Sequence, residues 1–199
     1  LAVVESIPVH EDIKLGRPSR DRLIANYCES VRAMGELGIS VLCYNFMPVF
    51  DWMRTDLEMP FPDGSTALAY DDRALTAVDL SRGTGDLPGW ATAYSAGELQ
   101  ALIAAYRQVS AEQLWDHLAY FLERVVPVAA QAGVRMAIHP DDPPWPIFGL
   151  PRIICRGPDE SYADHQLVGE RLGLNVKFSR SLDNGGASQI LSLMLAVMA

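Results

Sequence analysis

Ile39-Ser40-Val41-Leu42-Cys43-Tyr44-Asn45-Phe46 is apolar on both alternations until Asn45, the pattern of a strand covered on both faces. On its N-terminal side, Asp21 to Gly38 sets Leu23, Ile24, Tyr27, Val31, Met34 and Leu37 at spacings of three and four. An amphipathic helix is expected there, with Gly38 in its C-terminal cap. A shorter apolar run, Leu1 to Glu5, stands before that helix. Beyond the quoted strand, Ser110 caps a second helical stretch with Leu114, Leu118, Phe121, Leu122, Val125 and Val126 on one face. Pro127 is expected to kink or divide it, Gly133 to end it, and Val134 to Ile138 to form the next strand. Strand and helix in alternation predict a parallel sheet of βα units.

Between these elements, Met47 to Asp71 reads as a long loop with a turn at Pro62-Asp63-Gly64, and residues 72 to 108 as helical pieces broken around Gly83 to Gly89. From Arg156 the periodicity weakens; a helix at Tyr162 to Gly173, a strand at Leu174 to Phe178 and a terminal helix at Ile190 to Met198 are expected. The chain opens on a strand-like run with neither Met nor a signal-peptide n-region before it. A strand buried on both faces needs neighbours, so the chain reads as the middle of a larger unit, with three secure βα units and a weaker fourth.

With 199 residues, 49% hydrophobic and 21% charged, a packed core is expected, and neither disorder nor a fibrous repeat fits. A net charge of −9, from 25 Asp and Glu against 16 Lys and Arg, provides no basic stripe for phosphates. This argues against nucleic acid as the main partner, and a small molecule is expected. The longest apolar stretch, Ile190 to Ala199, is too short to span a bilayer, so no membrane partner is expected. Three cysteines, Cys28, Cys43 and Cys155, lack the spacing of a disulfide framework, and a cytoplasmic location is expected.

Each strand ends in polar residues: Glu5 then His10, Tyr44 and Asn45 then Asp51, His139 then Asp141 and Asp142. In a parallel barrel the loops after the strands converge on the axis, so such residues mark a site. An imidazole at a strand end can hold a metal in a fixed direction, with Asp141 or Asp142 as second ligand or orienting group; a hydrogen-bonded core histidine beside a loop-turning Asp pair explains the same letters. Glu5 and His10 read as a general acid and base, or as a helix cap and a surface loop. Trp52, Arg54 and Asp56 could bind an acidic, hydroxylated substrate with Arg54 on its carboxylate, or Arg54 could form a surface salt bridge. His117 and His165 read as structural or solvated, and Cys28 and Cys43 as core thiols. No phosphate-binding glycine loop, Cys-x-x-Cys pair or nucleophile elbow is present.

Three blocks are similar to the mannonate dehydratase family: Val3-Val4-Glu5-Ser6-Ile7-Pro8-Val9-His10-Glu11-Asp12-Ile13-Lys14; Cys43-Tyr44-Asn45-Phe46-Met47-Pro48-Val49-Phe50-Asp51-Trp52-Met53-Arg54-Thr55-Asp56-Leu57; and Arg135-Met136-Ala137-Ile138-His139-Pro140-Asp141-Asp142-Pro143-Pro144 through Gly149-Leu150-Pro151-Arg152. The resemblance runs from about Val3 to Ile154. It implies a (β/α)8 TIM barrel, present here as a partial barrel of three to four βα units. It also implies Mn²⁺- or Fe²⁺-dependent conversion of D-mannonate to 2-keto-3-deoxy-D-gluconate in hexuronate breakdown, by a homo-oligomer when full length.

By that resemblance His139 is a metal ligand, joined in the family by a Cys, a second His and an Asp from later strands. The family's Cys-x-Gly-Ser context has its nearest echo at Val176 to Leu182, where Ser179 stands in place of the Cys. Asn45, Arg54, Glu5 and His10 are expected to line the substrate pocket. Residues 1–155 are read as the central part of one barrel domain, and 156–199 as a divergent segment, partly out of the ancestral reading frame, misassembled or degenerate. As an incomplete barrel the chain is expected to have little or no dehydratase activity alone. The rival readings are an inactive barrel piece or sugar-acid binding remnant, and a sugar isomerase or epimerase on the same barrel.

Overall fold

The computed structural model describes residues 1–82, 94–139, 141–143 and 146–153. The chain divides into two compact units, Leu1–Ile153 and Ile154–Ala199, and all described residues belong to the first. The elements expected at 162–178 and 190–198, together with His165 and Ser179, lie outside them.

Three strands, β1 (Val3–Glu5), β2 (Val41–Tyr44) and β5 (Arg135–Ile138), form a parallel sheet in the order β1-β2-β5. A short helix, α1 (Glu11–Lys14), and a long one, α2 (Arg20–Glu36), connect β1 to β2. From β2 the chain passes through a hairpin, β3 (Asp56–Pro60) with β4 (Thr66–Ala69), then α3 (Asp72–Leu75), a 3-10 turn at Leu80–Arg82, α4 (Ala96–Tyr106) and α5 (Ala111–Gln131), before β5. Both crossovers are helical, as parallel pairing requires.

Helix α2 buries Ile24, Tyr27, Cys28, Val31 and Met34, the face its periodicity predicted. Leu37, expected on that face, is 75% exposed, because the helix ends at Glu36 and Gly38, at φ 71°, turns the chain away. Helix α5 starts with a capping box between Ser110 and Gln113 and runs unbroken for 21 residues with Pro127 inside it. It buries Leu114, Leu118, Phe121, Leu122, Val125 and Ala129, whereas Val126 points outward.

Phe121 is the hub of the helix–sheet contact, with ring centroids 5.0 Å from Tyr27, 5.9 Å from Tyr44 and 5.8 Å from Phe46. Leu42 and Tyr44 therefore face the helices, while Val41 and Cys43 alternate to the opposite, half-buried face. The strand expected to be covered equally on both faces is covered fully on one. The long loop expected over Met47 to Asp71 contains the β3–β4 hairpin around the predicted turn, where Gly64 takes φ 84°. Asp56-Leu57-Glu58-Met59 alternates polar and apolar residues, but both strands are largely exposed and lie among Pro48, Pro60, Pro62 and Asp63-Gly64, which read as loop.

Candidate active site

In a parallel sheet, residues in register stand side by side and share a face. Glu5 is in register with Cys43, and Cys43 with Ala137, all on the face turned away from α2 and α5. Asn45 and His139 come two residues beyond Cys43 and Ala137, and the His139 amide continues the ladder by donating to the Tyr44 carbonyl at 2.7 Å. Alternation thus sets Glu5, Asn45 and His139 on one face at the C-terminal ends of adjacent strands. Burial, with Glu5 second, raises the Cys43 thiol to about 11.

His10 is the N-cap of α1, where its Nδ1 accepts from the Asp12 amide at 3.0 Å. His117, on α5, contacts the Lys14 carbonyl through Nδ1 at 2.7 Å, a structural role that ties α5 to the turn after α1. Cys28 is buried as expected, whereas Cys43 is only half-buried.

The two carboxylates after His139 both have partners within the protein. Asp141 is buried and accepts from the Ile153 amide at 2.7 Å. Burial lifts its carboxyl to about 6, against the opposing pull of Arg152. Asp142 takes a two-pronged ion pair from Arg54, with Nη1–Oδ1 3.0 Å and Nη2–Oδ2 2.7 Å. Arg54 also donates to the Met53 carbonyl at 2.7 Å and lies 5.1 Å from the half-exposed Trp52 ring. The salt bridge weighed for Arg54 is therefore present, and its partner is the motif carboxylate Asp142.

Sequence reasoning missed a second set of polar residues beneath these loops. Lys14, 5% exposed, donates to Glu11 and to the Met47 carbonyl, both at 2.8 Å. Glu11 also accepts from the Tyr106 hydroxyl and from the Val49 amide, the latter at 3.4 Å. Burial, then Glu11, pushes the Tyr106 phenol far above its ordinary range. Arg152, 2% exposed, donates from Nη1 to the Phe50 carbonyl at 3.0 Å. The available signal was at Arg152, a charged residue between Leu150-Pro151 and Ile153-Ile154; Lys14 sits among Glu11, Asp12 and Arg17 and carries no such mark.

A model of the D-mannonate dehydratase (UxuA) family matches residues 1–164. The chain belongs to this family. It is 55% identical over 154 residues to the mannonate dehydratase of Streptococcus uberis, covering 77% of this chain and 44% of that one. It is 58% identical over 155 residues to the Streptococcus suis enzyme, covering 77% and 42%. Mannonate dehydratase 2 of Halalkalibacterium halodurans is 53% identical over 154 residues, covering 77% and 45%. The crystal structure of mannonate dehydratase from Streptococcus suis serotype 2 superposes with a TM-score of 0.71 at 51% identity, covering 86% of this chain and 43% of that one. This D-mannonate dehydratase family member thus spans less than half the length of the relatives it matches. No helix among its described residues is long and apolar enough to cross a membrane.

Proposed function

We propose that this chain is part of a hydro-lyase that converts D-mannonate to 2-keto-3-deoxy-D-gluconate and water, on a complete (β/α)8 barrel whose remaining strands lie outside the described residues. The observation that carries this reading is membership of the D-mannonate dehydratase family over residues 1–164. The shared face of Glu5, Asn45 and His139 supports it, because barrel chemistry is done at the C-terminal ends of the strands.

The reaction removes a weakly acidic proton next to a carboxylate and expels hydroxide from the neighbouring carbon, and both events build negative charge. The described residues fit one corner of a divalent-metal site. His139 offers an imidazole at a strand end, but Asp141 and Asp142 are engaged by Ile153 and Arg54. Among the described residues, no group of three His, Cys, Asp or Glu side chains stands together as a metal cage. His139 is the ligand that the described residues contribute, and the Cys, His and Asp implied by the family resemblance complete the set. A bound Mn²⁺ or Fe²⁺ supplies Lewis-acid stabilisation of the developing charge.

The chain's own residues orient the sugar acid. Asn45 hydrogen-bonds substrate hydroxyls from the end of β2. Glu5 accepts from hydroxyls on the same face, and His10 lies on the helix that follows. Arg54, steadied by Asp142, offers the remaining edge of its guanidinium to the substrate carboxylate. Residues 156–199 are a divergent segment, partly out of the ancestral frame. The 154- to 155-residue length of the matches to relatives supports this, and reading the DNA in three frames tests it.

The functional test is conversion of D-mannonate by the complete reading frame with added Mn²⁺ or Fe²⁺, followed by NMR of the product. Formation of 2-keto-3-deoxy-D-gluconate is expected. An isomeric sugar acid with no loss of water, or no turnover with either metal, overturns the proposal.

A further inference from the structure

The loop after β2, Asn45 to Thr55, carries buried Phe46, Met47, Val49, Phe50 and Met53, and Val49 stands at φ 62°. That is the left-handed region, where a β-branched residue is strained; the Phe50 amide donates to the Pro48 carbonyl at 2.6 Å across it, and side chains from outside the loop add further contacts. Two sets of charged side chains grip its backbone from separate parts of the chain. From the β1 side, Lys14 donates to the Met47 carbonyl at 2.8 Å and Glu11 accepts from the Val49 amide at 3.4 Å. From the β5 side, Arg152 donates to the Phe50 carbonyl at 3.0 Å, and Asp142 holds Arg54, which itself caps the Met53 carbonyl at 2.7 Å.

Arg152 is an expensive way to make one hydrogen bond. Its Nε and Nη2 are buried without a hydrogen-bond partner among the described residues, and burial disfavours its charge, opposed first by Asp141 and then by Asp142. In some proteins a single buried polar or charged residue fixes one arrangement over its alternatives. Here the arrangement joins the loops after β1, β2 and β5, whose strand ends carry Glu5, Asn45 and His139.

We propose that Lys14 and Arg152 are positioning residues which, together with the Arg54–Asp142 pair, clamp the strained Met47–Met53 backbone so that the strand ends bearing Asn45 and His139 form one preorganised wall of the sugar-acid site. The clamp acts on the substrate only through the loop it fixes. The inference rests on the functional reading for what the wall binds, but the clamp itself is tested without catalysis.

The experiment is hydrogen exchange by mass spectrometry on the complete protein, comparing the parent with Arg152→Met, Arg152→Lys and Arg54→Gln. With Arg152→Met, amides of residues 46–54 are expected to exchange at least tenfold faster while those of α2 and α5 are unchanged; Arg152→Lys, which keeps a charge and a donor, restores part of the protection. Arg54→Gln, at the less buried end of the clamp, produces a smaller increase over the same residues. In parallel, Arg152→Met is expected to raise KM for D-mannonate more than it lowers kcat. Unchanged protection of 46–54, or faster exchange spread equally through α2 and α5, overturns the clamp. If Arg152→Met does not fold, Arg54→Gln decides by the same criteria. A parent protein inactive on D-mannonate overturns the functional reading, and the exchange comparison still decides the clamp.

Discussion

Gly16 and Gly38 form a matched pair for testing how α1 is held. Both adopt left-handed backbone, at φ 67° and φ 71°, so alanine at either incurs the same conformational penalty, about 1–2 kcal/mol. Their surroundings differ. A Cβ at Gly38 meets nothing within 4 Å, whereas one at Gly16 falls 2.4 Å from Nε2 of His117. That ring is anchored through Nδ1 to the Lys14 carbonyl at 2.7 Å, so it cannot swing aside without giving up the contact. Overpacking adds about 1–3 kcal/mol. Gly38→Ala is therefore expected to cost about 1–2 kcal/mol, and Gly16→Ala about 2–5 kcal/mol. Urea unfolding of the complete protein, read at equal slope, supplies the comparison. The double variant Gly16→Ala/His117→Ala removes the clash and should cost less than the sum of the single changes by about 1 kcal/mol or more. Equal costs for the two glycine variants, or strict additivity with His117→Ala, would refute the argument that the Gly16–His117 approach fixes α1 and, with it, Glu11 and Lys14.

Phe121→Ala removes the ring shared by Tyr27, Tyr44 and Phe46 and should destabilise by about 3–5 kcal/mol, measured as a lowered urea midpoint. Ser110→Ala breaks the capping box of α5 and should cost about 1 kcal/mol in the same assay. The Asp12 carboxyl is held below its ordinary range first by the Ser19 hydroxyl, against the opposing effect of burial, and then by Arg17. Its stabilisation is present above the unfolded carboxylate pKa and lost as pH falls through the depressed folded value, so Ser19→Ala should raise the NMR-titrated Asp12 pKa. His139→Ala in the complete enzyme should weaken Mn²⁺ binding by at least roughly 10–100-fold, read by titration calorimetry; unchanged affinity would make His139 a structural residue.

Much of this chain's local structure was legible because it depends on neighbours close in sequence. Period-three-and-four apolar spacing determined the buried faces of α2 and α5, Ser110 and Gly38 marked helix ends, and alternating strand and helix required parallel pairing. The resemblance in three blocks likewise pointed to the family before any geometry was known. Partners far apart in sequence were not legible. Asp142 could be read as a ligand until Arg54, 88 residues away, was found across it, and nothing local to Lys14 announces the Met47 carbonyl 33 residues on. The exposed hairpin escaped for a different reason: its alternation, Asp56 to Met59, is only four residues long and lies among prolines that read as loop, and its pairing is set by the turn at Gly64. Periodicity records which face of an element meets the core, because every residue on that face feels the same apolar environment. A buried charge must instead find one partner of matching sign and geometry, and only the folded chain decides which residue comes close enough to supply it.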